Sequence, residues 1–113
     1  MKETFTYLKT FIALFACLFS SQLFSQWIQQ VSGVNVSLND VYCIDQNNVI
    51  VVGNNGTILK TTNGGTNWVL KNSGTTDPIV KVVFPTATVG YAIATNYANN
   101  IVQNRLLKST DGG

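Results

Sequence analysis

The stretch ILKTTNGGTNW, Ile58 to Trp68, decides how the rest of the chain reads, because LLKSTDGG, Leu106 to Gly113, writes most of it a second time. Five of the first eight positions are identical, and the other three exchange Ile for Leu, Thr for Ser and Asn for Asp. Working outward from the two copies lengthens the match. WIQQVSG (Trp27–Gly33) aligns with WVLKNSG (Trp68–Gly74) 41 residues on, and the same offset aligns VYCID (Val41–Asp45) with VVFPT (Val82–Thr86) and VIVVG (Val49–Gly53) with GYAIA (Gly90–Ala94). The offset rises to 48 only where TNYANNIVQNR (Thr95–Arg105) replaces the short NNGT, a seven-residue insertion at one turn. A fixed period of this kind marks a repeat architecture, in which each unit buries its apolar face against the next.

Within each unit the apolar residues form runs of four to six, rich in Val, Ile, Tyr and Phe and bounded by Asn, Gly, Asp and Pro. This is strand and turn chemistry. It predicts strands near 40–45, 48–53, 57–61 and 67–71, then near 79–84, 90–95 and 104–109. Asn54-Asn55-Gly56 supplies residues that tolerate positive φ, as a tight hairpin turn requires. Four antiparallel strands in roughly 40–45 residues is the period of a β-propeller blade. The expected fold is therefore all-β, with about two blades: units near 34–74 and 75–113, the second incomplete, preceded by an outer strand that starts at Trp27. As a fragment of a larger ring, residues 27–113 alone are expected to aggregate or to unfold at low denaturant.

Ahead of these units, Lys2 and Lys9 precede an apolar run, Phe11 to Phe19, that is too short to span a bilayer and gives way to Ser20, Ser21, Gln22 and Ser25. That is the layout of a secretory signal peptide, 1–25, with Ser25 or Ser21 as the cleavage point. LFAC (Leu14–Cys17) is only a faint lipoprotein box, since Phe15 does not suit it. The expected location is secreted, periplasmic or at the outer cell surface. Without the leader the chain keeps Lys60, Lys71, Lys81, Arg105 and Lys108 against Asp40, Asp45, Asp77 and Asp111, and is nearly neutral. No basic cluster remains for nucleic acid or an anionic membrane, and no transmembrane anchor is expected in the mature chain. Cys43 is then the sole cysteine, and VYCID reads as a strand with a buried thiol.

The turn after the third strand carries the motif. Thr61-Thr62-Asn63-Gly64-Gly65-Thr66-Asn67-Trp68 resembles an Asp-box, the BNR repeat of pattern Ser/Thr-x-Asp-x-Gly-x-Thr-Trp, and Ser109-Thr110-Asp111-Gly112-Gly113 resembles the first five positions of another. Asn63 stands for the usual Asp and Asn67 for the usual Thr. An Asx oxygen can accept from amides of its own turn, glycine permits positive φ, and the tryptophan returns to pack over the blade. Thr61, Asn63, Gly65, Trp68, Ser109, Asp111 and Gly113 are accordingly assigned as fold-making residues and not as ligands. VVGNNGTILKTTNGGTNW is most similar to the propeller domain of photosystem II stability/assembly-factor-like proteins, a domain that also occurs in secreted bacterial proteins unconnected with photosynthesis. The resemblance spans Trp27 to Gly113.

Asp-box propellers include sialidases and other glycoside hydrolases, sortilin-type receptors and non-enzymatic discs, so the resemblance alone leaves the activity open. Sialidase chemistry needs three arginines, a Tyr–Glu pair and an Asp acid/base. Here Arg105 is the one arginine, no glutamate follows Glu3, and histidine is absent. Asp40 and Asp45, five apart on one strand, point to opposite faces and are expected to cap turns. No catalytic residue, cofactor or metal is expected. The expected role is binding or scaffolding toward a protein or glycan partner. Tyr97 and Arg105, in the insertion, are the candidate contact residues; the alternative is the amino-terminal part of a glycoside hydrolase. Photosystem-assembly relatives use an Arg-rich face, to which only Arg105 could contribute.

Overall fold

The computed structural model describes residues 26–113. The expected leader, its cleavage points and the Leu14–Cys17 stretch lie outside the described residues. The chain forms seven strands: β1 (Leu38–Cys43), β2 (Val49–Gly53), β3 (Ile58–Thr61), β4 (Val69–Lys71), β5 (Ile79–Val83), β6 (Gly90–Ala98) and β7 (Ile101–Ser109). They build two antiparallel sheets, one in the order β1-β2-β3-β4 and one in the order β5-β6-β7. Each overlaps a run expected from the sequence, but β6 and β7 extend past theirs through the insertion.

The repeat extends to the hydrogen-bond register. Val41 faces Val51 and Tyr42 faces Ile50 in the first sheet, as Val82 faces Ala92 and Val83 faces Tyr91 in the second. The register slips between Leu38 and Asp40, and again between Ile79 and Lys81, the same positions 41 residues apart. A bulge bends its strand and raises local twist, so both units start with the same kink. The pairing of β2 with β3 recurs as β6 with β7: Ile50 opposite Lys60 matches Tyr91 opposite Lys108, and Val52 opposite Ile58 matches Ile93 opposite Leu106.

The two sheets stack face to face. Ile50 and Val52 of the first sheet meet Ile79, Val82, Phe84, Ala92 and Ala94 of the second in one apolar cluster. Alternation along β2 sends Ile50 and Val52 to this face, where both are almost fully buried, at 1% and 0% exposure. Removing an isoleucine of this kind from water is worth about 1.5–3 kcal/mol. Polar ties cross the same interface: Tyr42 Oη donates to the Phe84 carbonyl at 2.8 Å, the Val82 amide to Asp40 Oδ2 at 2.9 Å, and Lys60 Nζ to the Gly112 carbonyl at 2.7 Å.

Four expectations need correction. The outer strand expected from Trp27 does not form: residues 26–37 join no sheet, and the first strand begins at Leu38. Cys43 is exposed, because alternation on β1 turns it away from the face that the second sheet covers. Asp40 caps no turn and instead accepts the Val82 amide across the sheets, whereas Asp45 does cap one, taking the Asn47 and Asn48 amides at 2.8 Å. The insertion after Thr95 is no loop. It prolongs β6 and β7 by pairing Thr95 with Asn104, Asn96 with Gln103, Tyr97 with Val102 and Ala98 with Ile101. Asn99 and Asn100 form its two-residue turn at φ 53° and 60°, the double positive φ that a tight hairpin demands.

Candidate functional site

Two features could carry function, the paired Gly-Gly turns and the long β6–β7 hairpin. In the first turn Thr61 Oγ1 donates to Asn63 Oδ1 at 2.9 Å and accepts the Gly65 amide at 2.9 Å, while Asn63 Oδ1 accepts the Asn67 amide at 2.9 Å. The second turn repeats this: Ser109 Oγ donates to Asp111 Oδ1 at 2.9 Å and accepts the Gly113 amide at 2.8 Å. Even the outside tether recurs, the Gly64 amide reaching the Asn47 carbonyl and the Gly112 amide the Thr88 carbonyl. The Asp111 carboxyl is held below its ordinary value of 3.8, first by the Ser109 hydroxyl, with Lys60 adding a smaller charge effect. Gly65 lies against the Gln30 side chain and the Trp68 ring, and its φ of 92° would strain any residue with a Cβ. Trp68 is half-buried, with its indole nitrogen shielded and unpartnered. The polar groups of both turns thus point at one another.

The hairpin presents more to solvent. Beyond Ala94 no third strand among the described residues lies beside it, because β5 stops pairing there. The sequence put Tyr97 and Arg105 together as contact residues. Cross-strand pairing separates them: Tyr97 lies opposite Val102, Arg105 opposite Ala94, and the two positions point to opposite faces of the ribbon. Arg105 faces the first sheet's side and places its Nε 2.9 Å from Asp77 Oδ2, an ion pair whose N–H is not aligned as a hydrogen bond. Tyr97, 78% exposed, shares its face with Val102 and Leu106, at 53% and 71%. This apolar strip was not visible in the sequence while the segment read as a loop. Ala98, Ile101 and Leu107 stand beside these three in the chain, and Thr95 bonded to Asn104 at 3.0 Å lies between them on the face, so no clean apolar–polar alternation marks it in the sequence.

Between the sheets lies an open cleft of about 420 Å³, lined among others by Ile58, Phe84, Leu107, Lys71 and Asp111. Among the described residues no group of three or more His, Cys, Asp or Glu could hold a metal ion, and no helix is long and apolar enough to cross a membrane. No family model matches the chain, and neither the curated proteins nor the solved structures contain a match.

Proposed function

We propose that the two sheets are successive blades of an exported Asp-box β-propeller, and that this segment binds another macromolecule and catalyses nothing itself. The observation that carries the reading is the point-by-point equivalence of the units: the same bulge, strand register and serine- or threonine-anchored turn, stacked through one apolar interface. Stacked units of this kind make a rigid support, and an element that stands out from it is the natural recognition surface. The Tyr97–Val102–Leu106 face of the hairpin is that element, with an aromatic anchor of the type that dominates interface energetics.

The glycoside hydrolase alternative has less support, since the described segment offers neither a glutamate nor an arginine cluster. Pull-down from envelope fractions separates the readings. Tyr97→Ala with Val102→Ser should abolish partner capture, while Arg105→Ala alone should leave capture largely intact. Release of sugar from a sialoside or other glycoside panel by this protein, with capture unaffected by the hairpin changes, would favour the hydrolase.

A further inference from the structure

We propose that the Tyr97 face of the β6–β7 hairpin is a carbohydrate-binding surface, and that the macromolecule it engages is a neutral polysaccharide. This rests on the hairpin being the contact surface and names the chemistry of its partner. From Thr95 to Asn104 the ribbon carries no ionisable group besides the Tyr97 phenol, and its polar side chains are otherwise one hydroxyl and a set of carboxamides: Thr95, Asn96, Asn99, Asn100, Gln103 and Asn104. Hydroxyls and carboxamides both donate and accept, as each hydroxyl of a sugar does. A polyanion finds no cation here. Arg105 lies on the opposite face, paired with Asp77. Lys108, on the Tyr97 face, is six positions along β7 from Val102, about 20 Å, and sits over the Tyr91 ring.

Tyr97 stands opposite Val102, and the next pair on that face is Thr95 with Asn104. Thr95 Oγ1 donates to Asn104 Oδ1 at 3.0 Å, which holds the carboxamide in place and leaves its Nδ2 as a donor and the Thr95 oxygen as an acceptor. Successive pairs on one face are two residues apart, about 7 Å. A pyranose lying on the Tyr97 ring therefore has this pair beside its hydroxyls, while the electron-rich ring face suits the C–H groups of its flat side. The exposure of the site follows from the length of the hairpin. The first sheet, stacked on the other face, buries Ala92 and Ala94 at 7% and 0% yet leaves Ile101 60% exposed. A neighbour of the same size on the Tyr97 face would likewise reach Ile93 and Leu106 and stop short of Tyr97 and Val102.

Affinity electrophoresis of the full chain tests this, in gels containing hydroxyethylcellulose, xylan, galactomannan or, as a polyanion, alginate. At least one neutral gel should retard the chain more than alginate does. Tyr97→Ala should weaken the apparent affinity at least about tenfold, as for loss of an aromatic anchor, and Thr95→Val with Asn104→Ala roughly several-fold. Tyr97→Phe, and Asn96→Ala with Gln103→Ala on the opposite face, should match the parent and show that the hairpin is intact. Retardation by no neutral gel, retardation by alginate as strong as by any neutral gel, or parental affinity in Tyr97→Ala would overturn the inference. Envelope fractions separate it from the hairpin reading itself. Periodate, which cleaves sugar diols, should abolish capture, and protease digestion should leave it. Capture that survives periodate and is lost to protease overturns the polysaccharide but keeps the hairpin as the contact; capture indifferent to Tyr97→Ala with Val102→Ser overturns both.

Discussion

Thr61 Oγ1 makes contacts that no neighbouring group could replace, since it accepts the amide of Gly65, a buried residue, while donating to Asn63. Thr61→Ala strips that amide of its acceptor, and an unsatisfied buried amide costs about 1–3 kcal/mol. Urea unfolding should show a loss of this size, with Thr61→Ser close to the parent, because serine already serves at position 109. Charge at residue scale gives a second expectation. The carboxyls of Asp40, Asp45 and Asp111 all lie below their ordinary 3.8, held chiefly by the Val82 amide, by Asn48 and by Ser109 respectively. A group whose folded value is depressed stabilises the fold fully above its unfolded value and loses that contribution as pH falls through the folded one. Thermal midpoints should therefore be flat from neutrality down to about pH 5 and decline below about pH 4. With no histidine in the chain, no step is expected between pH 6 and 7.

At the scale of elements the hairpin is the informative case. A two-stranded ribbon is marginal by itself in water, and from Thr95 to Asn104 this one has no other strand beside it among the described residues. Its base is fixed by the Thr95 amide on the Pro78 carbonyl at 2.9 Å and by Arg105 against Asp77. Asp77 is nearly buried while Arg105 is mostly exposed, so the pair is worth on the order of 1 kcal/mol. Arg105→Ala should then speed amide exchange across residues 95–104 several-fold and leave β1 to β3 unchanged. An unaltered exchange pattern would show that the ion pair does not hold the ribbon. The Ser/Thr-Asx turns are legible from sequence because their hydrogen bonds run among residues at most four apart. The hairpin is not, because its strands depend on pairing with one another, and Asn-Asn at its tip reads equally well as loop.

Across the whole molecule, stability is concentrated where the sheets meet. Ile50, Val52, Ile79 and Ala94 are at or near zero exposure, whereas the outward faces leave Val41 and Leu70 on one side and Ile93 and Leu106 on the other open to solvent. Ile50→Ala should cost about 2–5 kcal/mol, the range for a large-to-small core change, and should separate one unfolding transition into two as the sheets lose their shared core. Retention of a single sharp transition would mean that the crossing polar ties, Tyr42 to Phe84 and Asp40 to Val82, suffice to couple them.

The sequence by itself determined the repeat, the core strands of each unit and the two matching turns. These follow from apolar periodicity and from hydrogen bonds between near neighbours, and both are written locally. Only the tertiary structure decided that Cys43 faces outward, that Asp40 bonds to the second sheet, and that Tyr97 and Arg105 part to opposite faces of a ribbon. Each of these depends on which face of a sheet another sheet covers, or on which residues pair across a strand. A period-two pattern states that a strand has two faces. Which face is buried is settled by what packs against it.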